Sequence, residues 1–183
     1  KGALHLYNKF HMEHPSNMFV LEYASRPPLA KIFYEDVLMA AHFYGYPILI
    51  ENNKYGIARY FESRGYDGYL MDRPEHLKSS GSASVKTKGI PSNSQDVIQA
   101  HAHAIEAFIH DYVGVNNETG EMGKMYLNGT LEDWIGFKIN DRTKFDLTIS
   151  SGLALLAAQK VKQEKPKSNF DEKRFFRKYN VRG

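Results

Sequence analysis

The chain reads as a single α/β domain, and three features of its sequence predict that class. Short apolar runs bounded by turn residues alternate with longer segments of helical periodicity. One such run, Ile48-Leu-Ile50, ends on a carboxylate, Glu51, followed at once by Asn52-Asn53, Gly56 and a new helical pattern. A buried strand that carries an acid at its C-terminal tip, beside a helix start, is where open α/β sheets keep their ligand sites. With 183 residues, 42% hydrophobic and 25% charged, there is chain enough for one full core.

The elements follow in order. Ala3 to Tyr7 and Met18 to Tyr23 read as two strands of a hairpin joined by the polar stretch from His11 to Asn17. Arg26-Pro27-Pro28 breaks that run. Ala30 to Phe43 has helical spacing, with Ile32, Val37, Leu38 and Ala41 on one face. After the strand to Glu51, a helix is expected from about Lys54 to Arg64 and a short strand over Gly68 to Met71. Asp72 to Pro91 is rich in Ser, Gly and Lys without periodicity, the pattern of a long functional loop. Ser94 to Tyr112 is helical, Val115 to Leu127 reads as a glycine-rich hairpin, and Thr130 to Phe137 is a short helix. Thr143 to Lys162 is a longer helix with Ile149, Leu153, Leu156 and Ala157 inward. Residues 1–162 form the domain, and 163–183 a basic, polar tail.

Composition narrows the function classes. The absence of cysteine excludes disulfides and thiolate metal sites and suits a reducing compartment. No run approaches the length of a membrane-spanning helix and none resembles a signal peptide, so no membrane role is expected. The chain starts on Lys1 rather than Met, as a piece of a longer polypeptide would. A net charge of +3 leans towards anionic partners. No G-x-x-x-x-G-K-[ST] occurs, so this stretch holds no P-loop ATPase.

Two acids carry the chemistry. Glu51 ends its strand, and Asp146 falls in the first turn of the last long helix, where the helix dipole favours a carboxylate. Together they could clamp divalent ions. Hard ions such as Mg²⁺ and Mn²⁺ prefer oxygen ligands. Two of them roughly 3.5–4 Å apart would stabilise both oxygens of a phosphodiester displacement. The residues also admit plainer readings. Thr143-x-x-Asp146 has the shape of a capping box, and Glu51 can pair with Lys54 or Arg59. His101, His103 and His110 lack an acid-flanked zinc pattern and read as a solvated or partly packed face.

The order of these features resembles the C-terminal nuclease domain of the large terminase subunit of tailed bacteriophages, an RNase H-like domain. The resemblance is carried by Tyr23-Ala-Ser-Arg26-Pro27, Tyr44-Gly, Ile48-Leu-Ile-Glu51-Asn-Asn-Lys-Tyr-Gly56 and Gly65-Tyr66. Gly89-Ile90 before a helix, Leu131-Glu-Asp-Trp134 and Arg142-Thr-Lys-Phe-Asp146 extend it to about Lys162. It implies an RNase H-like mixed sheet flanked by helices, with a glycine-rich hairpin insertion. In that family three carboxylates bind two Mg²⁺ or Mn²⁺ ions and cut concatemeric double-stranded DNA during genome packaging. Glu51 matches the second carboxylate and Asp146 the third. The resemblance also implies an ATPase domain upstream, the portal protein as a partner, and the host cytoplasm as the setting.

The first carboxylate has no match. The strands at Ala3 to Tyr7 and Met18 to Tyr23 take the places of the second and third strands of that fold, so the first would lie upstream of Lys1. That strand lies between the second strand and the one ending at Glu51, and its removal would leave unpaired edges on both sides. Upstream residues, the C-terminal tail or another chain would then fill the position. The first is the simplest, and it predicts a weak or inactive nuclease. Glu22, Glu35, Asp36 and Asp141 do not occupy the missing position. Lys54 is placed to steady a phosphate, and Arg26, Lys86 and Lys88 are candidates for DNA-backbone contacts without sequence readout. Two other readings stand beside this one. One is a catalytically idle RNase H-like module that binds DNA or docks a packaging partner. The other is a different RNase H-like enzyme, such as a junction resolvase or a transposase-like nuclease.

Overall fold

The computed structural model describes residues 1–9, 16–52, 56–74, 77, 88–91, 94–114 and 124–159. They form a mixed α/β domain. Strand β1 (Gly2–Asn8) pairs antiparallel with β2 (Met18–Ser25), and helices α1 (Ala30–Tyr44), α2 (Gly56–Arg64), α3 (Gln95–Tyr112), α4 (Asn128–Gly136) and α5 (Asp146–Ala158) follow. The two expected strands and the helices over 30–43, 94–112 and 130–137 are present with small shifts of boundary. Beyond the hairpin, pairing among the described residues consists of single bridges: Ile48 with Leu70 and Glu51 with Ile90, both parallel, and Asp72 with Lys88, antiparallel.

Side-chain alternation sorts the molecule into layers. In the segment from Ile48, Leu49 enters a core with Phe19, Ile90 and the inner faces of α3 and α5. Ile48 and Ile50 enter a second core with Val37, Leu38 and Ala41 of α1 and Ala58 and Phe61 of α2. β1 divides the same way: Tyr7 packs on the first core and Leu4 on the second. The hairpin and the 48–51 segment therefore lie between the same two helical layers.

β2 keeps this division by breaking its alternation once. The register slips between Leu6 and Tyr7, so that Leu6 faces Leu21 while Tyr7 faces Phe19. A one-residue bulge of this kind reverses the parity of the residues beyond it. Phe19, at 1% exposure, and Glu22 thus turn towards α4, while Tyr23 stacks on Phe33 of α1 at 5.9 Å. Val20, at the bulge, is left exposed.

Several sequence expectations are corrected. Ile32 is exposed, because the buried stripe of α1 runs through Val37, Leu38 and Ala41. Gly68 to Met71 is not a strand: Asp67–Tyr69 is a 3-10 turn, and pairing begins only at Leu70. The stretch from Asp72 to Pro91 returns to the core at its end, where Ile90 is fully buried. The helix expected from Thr143 starts at Asp146, since Ile139–Lys144 forms a 3-10 turn and Phe145 is the cap residue. The capping-box reading of Thr143 with Asp146 lapses for that reason. Most of the glycine-rich hairpin, the 11–15 connection, Lys54, Lys86 and the tail lie outside the described residues.

Candidate functional site

Carboxylates from other elements fix the helices around the candidate site. The first backbone N–H groups of a helix lack partners within it. At α4, Glu22 Oε2 accepts the Thr130 N–H at 2.8 Å and the Thr130 hydroxyl at 2.6 Å. At α5, Asp133 Oδ2 accepts the Thr148 N–H at 2.8 Å and its hydroxyl at 3.2 Å. The cap residues themselves, Leu127 and Phe145, make no side-chain cap bond. The charge that suits each helix N-terminus is thus supplied across the structure. This arrangement leaves Asp146, the first residue of α5, free of the capping role.

Behind these caps lies a buried polar chain. The Thr130 hydroxyl gives its one proton to Glu22, so His5 Nε2–H donates to Thr130 Oγ1, at 2.7 Å. The buried Nδ1 of His5 has no hydrogen-bond partner among the described residues, a setting that favours the neutral imidazole. Burial pulls its pKa down to about 4, against smaller upward pulls from Glu22 and Asp133. Trp134 Nε1 donates to Ser151 Oγ at 3.0 Å, joining α4 to α5. His101 is also buried. Among the described residues neither of its ring nitrogens has a hydrogen-bond partner, and burial, with Arg142 adding to it, lowers its pKa to about 4. Gly152 of α5 permits this contact: a Cβ there would stand 2.6 Å from His101 Nδ1.

A trough of about 880 Å³ lies between β1 and the segment from Tyr46 to Glu51, walled by α1 on one side and α5 on the other. Glu51 and Asp146 both line it, together with Arg26 and Arg142. The structure thus brings the two predicted acids to one cavity from separate elements. Lys88 is committed elsewhere, pairing with Asp72 at 3.0 Å and donating to the Leu70 carbonyl at 2.9 Å. Of the other acids considered, Glu35 accepts from Tyr60 and Arg64, Asp36 from Tyr23, and Asp141 pairs with Lys144 at 2.6 Å. His103 and His110 are exposed on α3 and pair with Glu106 and Asp111. Among the described residues no group of three or more His, Cys, Asp or Glu is placed to hold a metal ion.

The position of Glu51 depends on the strand segment beside it. Gly89 adopts φ +72°, and a Cβ there would meet the Ile50 carbonyl oxygen at 2.3 Å. Its N–H donates to Met71, and the next N–H, of Ile90, donates to that same Ile50 carbonyl at 3.0 Å. Gly89→Ala is expected to cost roughly 1–3 kcal/mol in backbone strain alone. The measurement is the urea midpoint, with Gly136→Ala, at a glycine without positive φ whose added carbon would come no nearer than 3.2 Å to Phe145, as the comparison.

Glu22 and Asp133 are the site-supporting residues that the sequence reading missed. Glu22 offers only its alternation along β2 as a signal, and the bulge reverses it. Asp133 sits within Leu131-Glu-Asp-Trp134, but nothing local to that motif points to the start of α5. Comparison with family models, curated proteins and solved structures gives no significant match. The fold and site therefore define a class only coarsely: a mixed α/β domain with two carboxylates on one interlayer trough. Among the described residues no helix is long and apolar enough to cross a membrane.

Proposed function

We propose that the chain is a divalent-metal-dependent DNA endonuclease domain of RNase H-like type, in line with its sequence resemblance to phage large-terminase nuclease domains. The observation that carries this reading is the convergence of Glu51 and Asp146 on one trough. As a donor set they suit Mg²⁺ or Mn²⁺ in kind, being oxygen ligands without thiols. Glu51 and Asp146 would hold the ion. When bound, it supplies Lewis-acid activation of water and neutralises charge at the scissile phosphate. The chain's own part is to present the two carboxylates on rigid supports, α5 being fixed by Asp133 and the strand tip by the bridge to Ile90. Arg26, on the rim, is suited to hold a DNA phosphate without reading sequence. Concatemeric duplex DNA would be the substrate, with an ATPase domain and the portal protein as partners in the host cytoplasm.

The test is cleavage of supercoiled plasmid in Mn²⁺. Activity abolished by EDTA and reduced roughly 100-fold or more by Glu51→Ala or Asp146→Ala supports the reading. Plasmid left intact by folded protein overturns it for this chain. The lack of a third acid among the described residues favours a second reading, the catalytically idle DNA-binding or docking module. In that case Glu51→Ala keeps DNA affinity, and that affinity weakens with salt but is indifferent to EDTA.

A further inference from the structure

Helix α1 carries two apolar stripes on opposite sides. Val37, Leu38 and Ala41 make the inner one, which packs on the second core. The outer one holds Ile32, Met39 and Phe43, all exposed, and the exposed cap residue Leu29 lies just before it. Phe43 is 81% and Leu29 61% exposed. A single exposed apolar side chain says little, but a contiguous stripe of them marks a contact surface. The spacing is that of a coiled-coil seam: Leu29, Ile32, Asp36, Met39 and Phe43 follow one another at intervals of 3, 4, 3 and 4. At 3.6 residues per turn the four members within the helix fall in an arc of about 60°, turned away from the inner stripe.

The acid in the middle of the seam sets the chemistry of what covers it. Asp36 is half-buried, and its Oδ2 accepts from the Tyr23 hydroxyl. Among the described residues no cation pairs with it, whereas Glu35 beside it is held by Arg64 at 3.2 Å. A carboxylate shut off from water without a cation is costly, so an occupant must bring one to this position. A second copy of α1 brings none. Paired parallel, it sets Asp36 against Asp36; paired antiparallel with Ile32 facing Phe43, it sets Asp36 against Met39. A β-strand, with its period of two, does not match the seam. An anionic lipid surface would meet a carboxylate at the centre of the contact and be repelled by it.

We propose that the outer face of α1 binds an amphipathic helix of another protein, one that is apolar along its own heptad seam and carries an Arg or Lys opposite Asp36. The apolar side chains of that helix cover Leu29, Ile32, Met39 and Phe43, and its cation pairs with Asp36. Asp36 stands at the midpoint of the seam, so either direction of the partner helix brings a central cation to it. In recognition of this kind the apolar anchors give affinity and the single charge pair fixes register. The inference does not depend on nuclease activity, because its readout is peptide uptake.

The test uses the whole chain and a synthetic peptide of about three heptads, with leucine along its seam except for one central arginine. Expected is saturable binding by calorimetry, weakened at least about tenfold by Phe43→Ser or Met39→Ser. Both side chains are exposed, so these variants keep the fold, which circular dichroism checks. Glutamate in place of the peptide's arginine should weaken binding about tenfold or more, and Asp36→Asn should remove most of that difference. Asparagine still accepts from Tyr23, so the change reads the charge. Overturning results are no saturable binding by folded protein, binding that Phe43→Ser and Met39→Ser leave unchanged, or an arginine preference that survives Asp36→Asn. Self-association through this face, or uptake by phosphatidylserine vesicles, with the peptide refused in either case, overturns it as well.

Discussion

Between pH 7 and pH 5 the domain is expected to lose about 4 kcal/mol of folding stability through two histidines, His5 and His101, at about 2 kcal/mol each. Burial holds both near pKa 4 in the folded state, against an ordinary value of 6.5. The unfolded chain therefore binds more protons than the folded one between those two values. Stability falls as pH drops through 6.5 and stops falling on this account below about 4. Geometry gives the same sign. The proton on His5 would go to the buried Nδ1, and among the described residues neither that atom nor either ring nitrogen of His101 has a partner. Urea unfolding at pH 7, 6 and 5 measures the effect. His101→Asn should remove about half of the pH dependence, whatever it does to stability at pH 7. An unchanged slope in that variant would show that other groups carry the linkage.

Phe19→Ala is the second large effect, with an expected loss of roughly 3–5 kcal/mol. Phe19 is 1% exposed and sits where strand and helices meet. Its ring makes edge contacts with His5 at 5.5 Å, Tyr7 at 5.1 Å, Phe108 of α3 at 5.1 Å and Trp134 of α4 at 6.1 Å. Truncation leaves a cavity that these rings cannot close without leaving their own partners, Trp134 being tied to Ser151 and His5 to Thr130. Phe19→Leu, which keeps most of the volume, should cost far less. Similar losses for both variants would mean that the site relaxes and that the cavity is not the cause.

The two effects meet at one place. His5 and Phe19 lie on the same face of the hairpin, and the bulge at Val20 puts Phe19 there. A straight β2 of the same length would put Phe19 and Glu22 on opposite faces, so that either the core residue or the cap of α4 would be lost.

Local patterning determined a good deal of this protein. Leu4 and Leu6, and the β-branched and aromatic residues around Phe19, fixed the two strands. Val37, Leu38 and Ala41 fixed the inner face of α1, and the Ala/Leu run after Asp146 fixed α5. Ile48-Leu-Ile50 was legible as a buried segment tipped by Glu51, because a short apolar run ending on an acid before a turn has few other places to go. Such patterns act over one or two turns of chain, where side-chain periodicity and turn chemistry suffice.

Only the tertiary structure decided the rest. Whether Glu22 faced α1 or α4 depended on a single bulge that the alternation of β2 does not encode. Asp133 reaches Thr148 only because α4 and α5 pack together. His5 and His101 became poor proton acceptors because neighbours distant in sequence excluded water from them. The convergence of Glu51 and Asp146 on one trough likewise arises from elements brought together across the chain. Burial and long-range hydrogen bonding depend on which surfaces meet, and no local window of sequence contains that information.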